Sequence, residues 1–133
     1  MQSSQKRARI LVVEDSPPIQ MILRHLLERH FDVELANSVD GALMKASREH
    51  FDLFLLDIHL GEDRTGVDLL GLLRQMPAYG TTPAVACTAF AGPKYREEFL
   101  ASGFNEHVDK PFKQPVLMEV VEEALGGHVS GQA

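Results

Sequence analysis

Five times along the chain a short apolar run gives way to a longer segment whose apolar residues recur at helical spacing. The first run, Arg9 to Val13 (RILVV), is apolar on both faces, as in a strand buried within a sheet. Glu14 and Asp15 end it, and Ser16 is placed to cap a helix with Pro17 at its first position. Ile19, Ile22, Leu23, Leu26 and Leu27 carry that helix to about Arg29. Phe31 to Ala36 is a second strand in which Asp32 and Glu34 alternate with apolar residues, which suits a sheet edge. Ser38 caps a second helix whose Ala42, Leu43 and Ala46 share a face. Phe51 to Leu56 (FDLFLL) is a third strand ending at Asp57, followed by the charged loop HLGEDRTG.

Val67 to Met76 is a third helix, stopped before Pro77. Pro83 to Cys87 is a fourth strand, and Lys94 to Ser102 a fourth helix closed by Gly103. Phe104 to Val108 and Gln114 to Leu125 complete the set as strand and helix. Strands alternating with helices over short connections imply parallel strands, right-handed crossovers and helices on both faces of the sheet. The expected fold is one doubly wound α/β domain over residues 9–125, with loose tails at 1–8 and 126–133.

Composition narrows the function. With 44% apolar and 24% charged residues in 133, the chain has the makings of one ordinary globular core. A formal charge of −6 argues against a general nucleic-acid binder. The single Cys87 has no internal disulfide partner, and a cytoplasmic location is expected. No apolar run reaches the roughly 20 residues that span a bilayer. The basic start MQSSQKRAR leads only into ILVV before Glu14 and Asp15, which does not make a secretory signal. No glycine-rich phosphate loop is present, so no nucleotide is expected.

In doubly wound sheets the polar site lies beyond the carboxyl ends of the strands, near the switch in strand order. Glu14, Asp15, Asp57, Thr88 and Lys110 all fall there. Singly, each has an ordinary explanation: acids at a helix start, a loop hydroxyl, a solvated lysine. On one rim they form a site. Two carboxylates about 4 Å apart repel by about 4 kcal/mol at an effective dielectric of about 20, so the acids either take up protons or recruit a cation. Oxygen ligands suit magnesium, whereas the histidines lack zinc-site spacing. A magnesium ion beside Lys110 and Thr88 makes a pocket for a phosphoryl group, with Asp57 placed as its nucleophile.

The segments ILVVEDS, FDLFLLD, the Thr-Ala of ACTAF and HVDKPF, in this order, resemble the receiver domains of two-component response regulators, in particular the single-domain chemotaxis response proteins. The resemblance covers about Arg9 to Leu125. It implies a flavodoxin-like sheet of order 2-1-3-4-5 and assigns roles residue by residue. Asp57 matches the phosphoacceptor; Asp15 matches the direct magnesium ligand, Glu14 its water-mediated neighbour, and the His59 backbone carbonyl a further ligand. Thr88 and Lys110 match the pair that contacts the phosphoryl oxygens. Thr88 with His107 matches the switch, although the family more often has tyrosine or phenylalanine at the latter position. His107 also reads as a strand-end histidine half in water. Lys110-Pro111 matches a cis bond.

Two departures accompany these matches. The loop after Asp57 lacks the family's usual proline and resembles receivers fused to hybrid sensor kinases. Phe90 and His59 stand where the family tunes water access to the phosphoryl group, and their bulk suggests slow self-hydrolysis.

The implied function is a stand-alone switch, not an enzyme acting on an external substrate. A sensor histidine kinase or phosphotransfer protein donates phosphate to Asp57 with magnesium. The output is binding to another protein, or homodimerisation, through the face of helix four, strand five and helix five. No nucleic acid or membrane partner is expected. Two alternatives stand beside it. One is a receiver-like interaction module that works without phosphorylation. The other is a small metal-dependent phosphatase, which would want an acid where His59 stands.

Overall fold

The computed structural model describes residues 7–89 and 92–126. Five parallel strands, β1 (Arg9–Val13), β2 (Asp32–Ala36), β3 (Leu53–Asp57), β4 (Ala84–Thr88) and β5 (Glu106–Asp109), form one sheet of order β2-β1-β3-β4-β5. The helices are α1 (Pro17–Leu27), α2 (Val39–Arg48), α3 (Gly66–Arg74), α4 (Pro93–Ala101) and α5 (Gln114–Ala124). This is the doubly wound, flavodoxin-like architecture that the alternation and the resemblance imply. β2, with its alternating charges, lies at an edge.

Each central strand feeds two cores because its side chains alternate across the sheet. Leu11, Val13, Phe54, Leu56, Ala84 and Ala86 pack with Ala42 and Ala46 of α2, Leu69, Leu70 and Leu73 of α3, and Phe99 of α4. Ile10, Val12, Leu53, Leu55, Val85 and Cys87 pack on the other face with Leu23 and Leu27 of α1 and Leu117 and Val121 of α5. Among the described residues, no helix is long and apolar enough to cross a membrane.

Some boundaries differ from the sequence reading. Phe51 and Phe104 are buried but precede their strands, because apolarity marks burial whereas the ladder is set by register. Asp57 and Thr88 belong to β3 and β4, so the ladder itself holds their backbones. α1 ends at Leu27, where the N–H groups of His30 and Phe31 both reach the Leu27 carbonyl. The segment after α3 forms a 3-10 turn, Pro77–Tyr79, that periodicity did not reveal.

Ala8 accepts a 3.0 Å bond from the Asp32 N–H, and the Arg7 guanidinium donates to the Phe31 carbonyl at 3.0 Å and to that of Glu28. The backbone of Ala8 is thus tied to β2, and the side chain of Arg7 to the segment before it. The expectations for Phe90 and for the rest of both tails lie outside the described residues, except that Gly126 closes α5 with φ +83°.

Candidate functional site

β1, β3 and β4 are neighbours, so their carboxyl ends deliver side chains to one rim. β1 runs directly into Glu14 and Asp15. Ser16 then caps α1, its hydroxyl accepting from the Ile19 N–H at 3.5 Å, and Pro17 opens the helix. β3 ends in Asp57 and β4 in Thr88; Lys110 directly follows β5, and its bond to Pro111 is cis.

Glu14 and Asp57 are almost entirely buried, Thr88 is fully so, and Asp15 is exposed. The Lys110 ammonium reaches both buried acids, 3.1 Å from Asp57 Oδ1 and 3.2 Å from Glu14 Oε1. The other Glu14 oxygen accepts from the Ser16 N–H at 3.0 Å. Asp57 Oδ1 also accepts from the His59 N–H at 3.3 Å. Glu14, Asp15 and Asp57 each offer one carboxylate oxygen within 4.8 Å of the others, a set that could hold a metal ion.

The electrostatics suit a hard cation. Burial disfavours the Glu14 carboxylate and raises its pKa; the Ser16 N–H opposes this, and the Asp57 charge adds to it. Burial also works against the Lys110 charge, but Asp57 and Glu14 outweigh it and the pKa is raised. One ammonium therefore faces three carboxylates. The surplus of negative charge on oxygen donors matches what magnesium seeks, since it binds through few carboxylates and keeps waters.

The loop between β3 and α3 fits closely around these acids. Gly66 lies so near the Asp57 carbonyl that a Cβ would come within 2.3 Å of it, and one on Gly61 would meet Asp15 Oδ2 at 2.6 Å. Gly61 also has φ +70°, a conformation that favours glycine. The two glycines of HLGEDRTG thus let the loop pass against the site.

His107 lies on β5 with its side chain mostly buried. Its Nε2 is 3.3 Å from Asp109 Oδ1, its Nδ1 is 3.5 Å from Arg96 Nη1, and its ring is 6.2 Å from that of Phe99. The structure thus brings Glu14, Asp15, Asp57 and Lys110 together, ends β4 with Thr88, and sets the His59 N–H against Asp57.

Sequence reasoning missed Gln20, whose amide donates to the Glu14 carbonyl at 2.7 Å and the Ala36 carbonyl at 3.3 Å, tying α1 to the rim. It also missed Glu62, which accepts from the Val39 N–H at 3.1 Å. A polar residue one turn into a helix gives no sign of such partners; for Glu62, the adjacent Gly61 was the available signal.

Comparison with known proteins agrees with this geometry. The family model described as "Response regulator receiver domain" matches residues 10–122, and the chain belongs to that family. An uncharacterised 14.6 kDa protein of Leptolyngbya boryana is 36% identical over 115 residues, 86% of this chain and 87% of that protein. The signal transduction histidine-protein kinase BarA of Escherichia coli is 32% identical over 109 residues, 81% of this chain but only 12% of the kinase. Among solved structures, the chemotaxis response regulator CheY4 of Vibrio cholerae superposes with a TM-score of 0.83 at 28% identity, covering 90% of this chain and 99% of that one. The receiver domain of the Pseudomonas aeruginosa sensor histidine kinase PA1611, solved with magnesium coordinated in its active-site cleft, gives 0.80 at 29% identity, covering 90% and 98%. Receiver domains of this family are signalling phosphoacceptors of two-component systems rather than classical enzymes.

Proposed function

We propose that this chain is a receiver that accepts a phosphoryl group on Asp57 from a phosphohistidine and signals through changed protein binding. The observation that carries the reading is a buried Asp57 carboxylate held 3.1 Å from the Lys110 ammonium, with oxygens of Glu14 and Asp15 within 4.8 Å. Glu14, Asp15, Asp57 and the His59 carbonyl would hold magnesium. When bound, the ion supplies positive charge that offsets the carboxylates and the phosphoryl oxygens.

In transfer, an Asp57 carboxylate oxygen attacks phosphorus. The new O–P bond forms as the P–N bond breaks, and the departing imidazole nitrogen keeps the electron pair. Lys110 balances negative charge on the phosphoryl group from a position already fixed by two ion pairs. The Thr88 hydroxyl, at the end of β4, donates a hydrogen bond to a phosphoryl oxygen. Its movement toward the phosphoryl group frees space behind it for His107. The surface of α4, β5 and α5 then changes, and a downstream protein or a second copy of the chain reads it.

That surface has features a partner can use. A hollow of about 580 Å³ there is lined by His107, Lys110, Pro111, Lys113 and Val116. Leu100 and Val116 are exposed on α4 and α5. The likeness to the PA1611 receiver and to part of BarA supports a histidine kinase or phosphotransfer protein as donor. Cys87 is free and buried, and burial pushes its thiol pKa up, which keeps it unreactive.

Intact-mass measurement after incubation with acetyl phosphate and magnesium tests the reading. One phosphate is expected on the parent and none on Asp57→Asn. Equal labelling of the two would remove Asp57 as acceptor, and no labelling of either would favour an interaction module that works without phosphorylation.

A further inference from the structure

The loop joining β3 to α3 is fastened along its length. Its base is closed by the Gly66 N–H bonding to the Ile58 carbonyl at 3.0 Å. Its far end is capped reciprocally by Thr65 and Asp68. Between them Glu62 reaches from the loop to α2. Ser38, the cap of α2, serves the Gly41 N–H, which leaves the Val39 N–H at the helix start; Glu62 Oε2 accepts from it at 3.1 Å. Arg64 doubles the link, with Nη2 2.9 Å from Asp40 Oδ1 and 3.6 Å from Glu62 Oε1.

This anchorage borders the acids. Gly61, adjacent to Glu62, lies against Asp15 Oδ2, and the His59 N–H bonds Asp57 Oδ1. The backbone between the two acids is therefore held at one end by β3 and at the other by the first turn of α2. Release of Glu62 would free the segment from His59 to Arg64 to move away from Asp15.

We propose that Glu62 and Arg64 are positioning residues for the magnesium site. By tying the loop to α2 they hold the His59 carbonyl and Gly61 in place beside Asp15 and Asp57, and set magnesium affinity without touching the ion. The inference rests on the reading that these acids and the His59 carbonyl bind magnesium.

Calorimetric titration of the full chain with magnesium chloride tests it. Glu62→Ala should weaken binding about tenfold, at the low end of what outer partners of a metal site contribute, while Glu62→Gln stays within about twofold of the parent. Glutamine has lost the charge but keeps an oxygen that accepts from Val39, so the pair separates position from charge. Arg64→Met should fall between them, and it carries the test if Glu62→Ala does not fold. Hydrogen exchange of the metal-free proteins should show faster exchange at residues 59–64 in Glu62→Ala and not in Glu62→Gln.

Unchanged affinity in both Glu62→Ala and Arg64→Met would overturn the positioning role while leaving the metal site intact. Equal loss in Glu62→Gln and Glu62→Ala would overturn it in favour of charge alone. Absence of magnesium binding by the parent would overturn the metal-site reading, and this inference with it.

Discussion

Of the three acids at the rim, Asp15 is exposed and makes no ion pair among the described residues, whereas Lys110 bridges Glu14 and Asp57. Its charge therefore adds repulsion without local compensation in the metal-free protein. Asp15→Asn is expected to stabilise the magnesium-free chain by about 1 kcal/mol, the scale for unit charges a few ångströms apart near water. The same substitution should shrink the rise in melting temperature that magnesium gives the parent. Thermal scans with magnesium and with chelator check both, and a parent unmoved by magnesium would count against the metal site. These site residues were legible because each sits where an apolar run stops, and the topology of a parallel sheet gathers such stops at one edge. Gln20 and Glu62 were not, since their roles depend on backbone groups of distant segments brought near only by folding.

Elements meet at the opposite rim through a second set of contacts. Arg9 opens β1, and its guanidinium lies over the Phe51 ring at 5.0 Å while donating to the Glu49 carboxylate just past α2. The Arg9 hydrogen bond holds the Glu49 pKa below the usual carboxylate value. A carboxyl whose folded pKa is depressed contributes stability above its unfolded pKa and loses it as pH falls through the folded one. Acidification below about pH 4.5 should therefore destabilise the parent more steeply than Glu49→Gln, as urea melts at stepped pH would show. Equal acid slopes would mean the pair contributes nothing. Tyr79 joins the same region: its buried hydroxyl is shared between the Ala46 carbonyl at 2.8 Å and the Glu49 carbonyl at 2.7 Å, pinning the 3-10 turn to the end of α2. Neither the turn nor its hydrogen bonds follow from periodicity, because three residues are too few to show a period. Phe51 and Phe104 misplaced two strand starts for a related reason: a buried aromatic just outside the ladder looks like strand.

Strand type and number could be read at the scale of the molecule because β1, β3 and β4 are covered on both faces, and continuous apolar runs mark such strands, whereas the order of the strands came only from the family resemblance. The same scale governs how the site meets a charged donor. The chain carries a formal charge of −6, and its rim sets three acids against one lysine. Acetyl phosphate is itself an anion, so it approaches against the field of the whole molecule and of the rim together. Screening length falls from about 30 Å at about 0.01 M salt to about 8 Å at about 0.15 M, which removes most of that long-range repulsion. At saturating magnesium, raising potassium chloride across this range should speed labelling of Asp57 by acetyl phosphate a few-fold, since steering acts on encounter. Loss of phosphate from the labelled chain is a reaction with uncharged water and should change little. Stopped time courses read by intact mass separate the two rates. A labelling rate that ignores or falls with salt would mean that the local cations at the site, Lys110 and magnesium, already outweigh the field of the rest of the chain.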